Sequence, residues 1–171
     1  SRKDGDRIIS ISFAWEPNRA IVVPMESLDS LEASSLRAVI RDAFASPNLY
    51  WIGQNAYAFD IPILKQWWDV DVTNYLLDTM VAHHVLNPEF PHDLGFLTSQ
   101  YTLIPYYKDM IHTDLYRYNG LDAVATYQVA VAQYQDLERR GLTGYYKNYC
   151  HPLLTTFQKM QSRGLTIDME Y

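Results

Sequence analysis

"LYWIGQNAYAFDIPILKQWW", residues 49–68, joins two apolar runs through a polar, aromatic turn. The first run, with Trp51 and Ile52, is short and β-prone, so residues 48–54 are expected as a short buried strand. The second places Ile63, Leu64, Trp67 and Trp68 at helical spacing, which predicts a helix over about 61–69. Pro62 falls in its first turn, where proline is tolerated. A strand that turns directly into a helix is the unit of an α/β fold. Side chains at that turn project from the end of the strand, where ligands often bind in open α/β sheets. Asn55, Phe59 and Asp60 occupy the turn. Asp60 can coordinate a divalent cation through oxygen, and Asn55 can hydrogen-bond a substrate oxygen. Aspartate is also a preferred helix cap, so a purely structural role for Asp60 stays open here.

Upstream, residues 7–15 (RIISISFAW) and 20–24 (AIVVP) flank a Pro17-Asn18 turn and predict an antiparallel strand pair. Ser30 is expected to cap a helix to about Ser46, with Leu31, Leu36, Val39, Ile40 and Ala43 on its apolar face. Downstream, residues 74–78 predict a strand, 79–87 a helix ended by Asn87-Pro88, and 93–101 another helix. A long helix follows from about Asp114 to Arg140 with Gly141 as its stop, then a helix over 146–163 stopped by Gly164. The alternation predicts an α/β fold with a mixed sheet flanked by helices.

The chain has 171 residues, 48% of them hydrophobic and 20% charged, enough for one domain with a core of its own. Its net charge of −6 argues against wrapping of duplex DNA, which calls for a basic surface. Contact with nucleic acid would be local or assisted by bound cations. Fourteen tyrosines suit either stacking on planar ligands or the edges of a core. The single cysteine, Cys150, permits no internal disulfide and points to a reducing compartment. No apolar run reaches the roughly 20 residues that a membrane span needs, and no signal peptide is evident.

A second polar constellation lies in "YNGLDAVATY", residues 118–127. Tyr118 and Asp122 are four apart on a predicted helix and share a face. A carboxylate can hold a metal while a phenol, with an ordinary pKa of about 10, orients a water. A core tyrosine beside a solvated aspartate is the plain alternative. Gly120 between them costs about 1 kcal/mol relative to alanine in a helix, and close approach of backbone or ligand would account for it. Asp78 is expected to cap the helix that starts at Thr79. His83 and His84 are adjacent and cannot share one helical face, so a zinc site with His112 is not expected and His83 is assigned to the core. Lys108 could touch a phosphate, and a solvated loop lysine is the expected reading.

Taken together, the N-x3-F-D element and the later Y-x3-D element resemble the second and third motifs of the 3′-5′ exonuclease superfamily, in its tyrosine-bearing branch. "LLDTMVAHHVLNPEF" (76–90), "HDLGFLTSQYT" (92–102) and "YNGLDAVATY" look like the proofreading domain of family A DNA polymerases, in the style of phage relatives. The tail, residues 151–171, looks like the lead-in to a polymerase domain. The resemblance implies an RNase H-like fold and two divalent metal ions, Mg2+ or Mn2+. It implies hydrolysis of single-stranded DNA from its 3′ end in a bacterial or phage-infected cytoplasm, with a polymerase domain on the same full-length chain. It makes Asp60 and Asp122 metal ligands, Tyr118 the residue that orients the attacking water, and Asn55 and Phe59 substrate contacts. It divides the chain into an exonuclease domain over 1–144 and the start of the lead-in over 145–171.

One departure stands out. The family's first motif, D-x-E on the first strand, has no match here: "DGDR" (4–7) lacks a glutamate at that spacing. The expectation is a fragment truncated at both ends, without its first strand and with at most half of its acidic ligands. Metal binding is then weak and cleavage poor. A non-catalytic scaffold or strand-binding module, and an RNase D-like exoribonuclease, are the competing expectations.

Overall fold

A computed structural model describes residues 8–164. Its elements follow the α/β order expected. Strand β1 (Ser10–Glu16) pairs antiparallel with β2 (Arg19–Pro24), and β3 (Trp51–Gly53) pairs parallel with β4 (Tyr75–Asp78). Among the described residues the strands form these two separate ladders. Helix α1 spans Ser30–Ala45, α2 Asp60–Trp68, α3 Thr79–Leu86, α4 Leu94–Tyr101 and α5 Leu115–Arg139. After Gly141, whose φ of 68° is a left-handed value suited to glycine, comes a single turn α6 (Thr143–Tyr145). A π-helical turn over Tyr146–Cys150 and α7 (His151–Arg163) are the last described elements. Helix 146–163 is thus broken into a π turn and an α segment.

Strand β1 shows why a period of two matters. Ile11 and Phe13 point to one side, into a core of Ile40 and Phe44 from α1, Leu64 and Trp68 from α2, and Val70. Ser10 and Ser12 point to the other side and meet α5. Ser12 Oγ donates to the Asn119 carbonyl and side-chain oxygens, and Asn119 Nδ2 donates to Ser10 Oγ. Gly120 lets the helix come this close, because a Cβ there would stand 3.0 Å from Val22 of β2. The mid-helix glycine therefore serves packing of α5 on the hairpin. A second core gathers Leu77, Ala82, Leu86, Ala130, Leu137 and Tyr146 between β4, α3, α5 and the π turn.

Several local expectations are corrected. Asp29, not Ser30, caps α1: its Oδ1 accepts from the Leu31 and Glu32 amides, and Glu32 reaches back to the Asp29 amide. Leu31 and Val39 are exposed, while Ala33, Ile40 and Phe44 are the buried positions of α1. The short strand β3 is half-buried. Asp60 is the first residue of α2, and Phe59 takes the cap position without a side-chain cap bond, so Asp60 is no N-cap. No helix among the described residues is long and apolar enough to cross a membrane.

Candidate functional site

The sequence-predicted residues fall into two groups. The first is the β3–α2 turn. Asn55 has φ 55°, a left-handed value that asparagine tolerates. That conformation is held from outside the turn. Asp78, at the end of β4, is 1% exposed and accepts the Asn55 amide at 3.0 Å on Oδ1 and the Ala56 amide at 3.0 Å on Oδ2. Its Oδ2 also accepts the Tyr75 hydroxyl, and its Oδ1 caps α3 through the Met80 amide. The Asp78 amide donates to Tyr146 Oη at 2.8 Å. The expected cap is present, and the same carboxylate ties the turn to the neighbouring strand.

Asp60 lies one residue beyond Phe59, which is 58% exposed. Asp60 is open to water by surface area, yet crowding around its carboxyl raises its pKa to about 6, chiefly through desolvation and further through the Asp78 charge. Burial likewise raises the Asp78 carboxyl. Gln54 closes the turn on its other side, donating to the His92 carbonyl at 2.8 Å and accepting from the Thr79 hydroxyl. His92 in turn lies between His83 and His84, with ring-nitrogen separations of 2.8 and 3.1 Å. His83 is buried, as expected, and a loop histidine supplies the common neighbour that one helical face cannot.

The second group is on α5. Asp114 caps the helix through the Arg117 amide, and Tyr118 and Asp122 follow on one face. Asp122 Oδ1 receives the Tyr107 hydroxyl and the Lys108 ammonium, each at 2.6 Å. Lys108 Nζ is also 3.4 Å from Tyr118 Oη. Desolvation, then the Asp122 charge, raises the Tyr118 pKa above its usual value, so its hydroxyl stays protonated at neutral pH. Lys108 is therefore no free loop lysine. The backbone of Asn55 is held by Asp78, whereas the Asp122 carboxylate is held by Tyr107 and Lys108.

The sequence model of the 3′-5′ exonuclease of A-type DNA polymerases matches residues 1–140. The chain belongs to the 3′-5′ exonuclease family. A DNA polymerase I from Synechocystis sp. is 28% identical over 183 aligned positions, which take in 96% of this chain and 18% of the polymerase. The chain thus spans less than a fifth of that relative's length.

For this exonuclease family member, the donor chemistry of Asp60 and Asp122 suits hard divalent ions, which prefer oxygen. Among the described residues the number of donors falls short: no group of three or more His, Cys, Asp or Glu side chains is arranged to hold a metal. Sequence reasoning missed the remote contacts of Asp78 and the cationic partner of Asp122. Asp78 reaches amides 22 and 23 positions away, and Lys108 lies 14 positions before Asp122, so neither contact leaves a local spacing signal.

Proposed function

We propose that this chain is a 3′-5′ exonuclease module that hydrolyses single-stranded DNA from its 3′ end, serving proofreading beside a polymerase domain on the same full-length chain. The match of the exonuclease family over residues 1–140 carries the reading. Asp60 and Asp122 would supply oxygen ligands to two divalent ions, Mg2+ or Mn2+. Such ions, when bound, stabilise charge on the attacking and leaving oxygens and make water more acidic.

The chain's own residues have separate tasks. Tyr118, kept neutral, orients a water by hydrogen bonding and does not act as a free base. Phe59 offers an exposed ring on which a terminal base can stack. Asn55 presents its side-chain carboxamide to a substrate oxygen from a backbone that Asp78 fixes. Residues 1–144 form the exonuclease module in this reading, and 145–171 begin the lead-in, with Tyr146 docked back against Asp78.

The test is degradation of a 5′-labelled single-stranded DNA oligonucleotide with Mg2+ or Mn2+, compared with an RNA oligonucleotide of the same sequence. DNA shortened stepwise from the 3′ end, and loss of that activity in Asp122→Ala, are expected. Cleavage unchanged in Asp122→Ala refutes the assignment, and preference for RNA favours an RNase D-like activity. A second reading, a strand-binding module without hydrolysis, draws on the lack of a three-donor acidic group among the described residues. It predicts oligonucleotide binding with no shortening.

A further inference from the structure

Tyr57 joins the β3–α2 turn to the last described helix. It lies midway between Asn55 and Phe59, and its ring is half-buried. The Tyr75 ring of β4 stands edge-on to it, with centroids 4.9 Å apart, and the His151 ring of α7 closes in at 5.8 Å. His151 is itself stacked on Tyr75 at 5.7 Å, with 22° between the planes. One helical turn along α7, the Thr155 hydroxyl donates to Tyr57 Oη at 3.5 Å. Tyr75 is a fixed wall of this pocket, because its hydroxyl donates to Asp78 Oδ2 at 3.1 Å. The other side of His151 faces Tyr146, whose Oη is 3.4 Å from Nδ1 and accepts the Asp78 amide. Strand β4 and helix α7 thus hold one side chain of the turn between them.

The turn has two halves. In the first, Asp78 accepts the Asn55 and Ala56 amides. In the second, the Phe59 and Ile61 amides both reach back to the Ala56 carbonyl, at 3.3 and 2.9 Å, and the Phe59 ring stands in solvent. Those local bonds shape the backbone without tying it to another element. The Tyr57 ring does tie it. We propose that His151 is a positioning residue for this turn: acting through the Tyr57 ring, it sets where Phe59 and Asp60 stand, so that a shift of α7 is felt at the turn. The link itself is independent of the nuclease reading above, and its effect on a DNA strand rests on that reading. Ring pairs of this kind contribute beyond the area they bury, because the positive edge of one meets the negative face of another. A tyrosine has two rotatable χ angles, so its ring passes a displacement to the backbone with little slack. Helix α7 fully buries none of its own residues, which gives the ring contacts at its first turn a large share in fixing where it lies.

The proposal is tested on the full 171-residue chain by amide hydrogen exchange at Phe59 and Ile61, with the amides of α1 as reference. His151→Ala is expected to speed exchange at the two turn amides about fivefold, the scale of one lost aromatic contact, and to leave α1 unchanged. His151→Phe keeps a flat ring and is expected to restore the wild-type rates. Unchanged exchange at Phe59 and Ile61 in His151→Ala, or an acceleration shared equally by α1, overturns the proposal. Tyr57→Ala, at a half-buried site, gives the check from the other end. If His151 acts through that ring, the double variant exchanges no faster than Tyr57→Ala alone, and additive acceleration overturns the link. In the strand-shortening assay, His151→Ala is expected to raise KM for the oligonucleotide about threefold, a fraction of one stacked base, with His151→Phe restoring it. A wild-type KM in His151→Ala overturns the effect on the strand. No shortening by the wild type overturns the nuclease reading, while the exchange rates still decide the link.

Discussion

Replacing Asp78 with alanine removes the acceptor on which the β3–α2 turn and the start of α3 both depend. The Ala56 amide, in a residue 5% exposed, loses its partner, and so does the Tyr75 hydroxyl. Two donors left unsatisfied cost about 1–3 kcal/mol each, and the lost helix cap about 1 kcal/mol more, a gross cost of roughly 3–7 kcal/mol. Relief from burying a carboxylate, whose pKa desolvation already raises, offsets part of this, for a net loss of about 2–5 kcal/mol. Asp78→Asn keeps one acceptor but turns a donor toward the Ala56 amide or its neighbours, and is expected to cost about 1–3 kcal/mol. Urea denaturation followed by circular dichroism gives both values, and amide hydrogen exchange reports on Asn55 and Ala56 directly. An alanine variant within about 1 kcal/mol of the wild type, with Asn55 and Ala56 amides still slow to exchange, refutes the reasoning.

Three further outcomes are expected. Tyr118→Phe should lower the rate of strand shortening with little change in the urea midpoint; wild-type kcat would show that the hydroxyl orients nothing. Burial first, and neighbouring imidazole charge second, hold His83 and His92 below the ordinary imidazole pKa. Their unfolded forms take up protons below about pH 6.5 while the native rings resist, so these residues withdraw stability as pH falls below that point and contribute no slope above it. Asp60 acts in the opposite sense between its unfolded value and about 6, so the comparison is with His92→Ala, which should show a shallower loss in urea midpoint toward acid; equal slopes would dismiss the imidazole cluster as the cause. Gly53→Ala would put a Cβ 2.6 Å from the Ala56 Cβ and 2.7 Å from Tyr75 Oη, and should cost about 1–3 kcal/mol by overpacking; an unchanged thermal midpoint would contradict that spacing.

The sequence made the periodic elements legible. The β-branched and aromatic residues of 7–15 forecast a strand, and β1 places Ile11 and Phe13 on one side and Ser10 and Ser12 on the other. Helix α5 ends where Gly141 was expected to end it. What escaped was cross-chain satisfaction of polar groups. Asp29 and Ser30 are both good caps, and only the reciprocal bond with Glu32 decides between them. Leu31 fits the apolar stripe of α1 by spacing, yet the face packed on the core runs through Ala33, Ile40 and Phe44, and Leu31 is left 76% exposed. At the site, Tyr118 and Asp122 were found because four residues make one helical turn. Lys108 was not, because its route to Asp122 runs through a loop and a short 3-10 turn that no periodicity encodes.

Tyr146 has a consequence for how this unit is inherited and cut. It lies beyond residue 140, where the family match stops, yet it is 1% exposed and its hydroxyl accepts the amide of Asp78. A gene segment trimmed to the matched span would leave a hole beside Leu77 and Leu137 and strand that amide without an acceptor. Recombination breakpoints that preserve folding should therefore fall after the π turn, and libraries that shuffle such modules between related chains should retain only crossovers downstream of it.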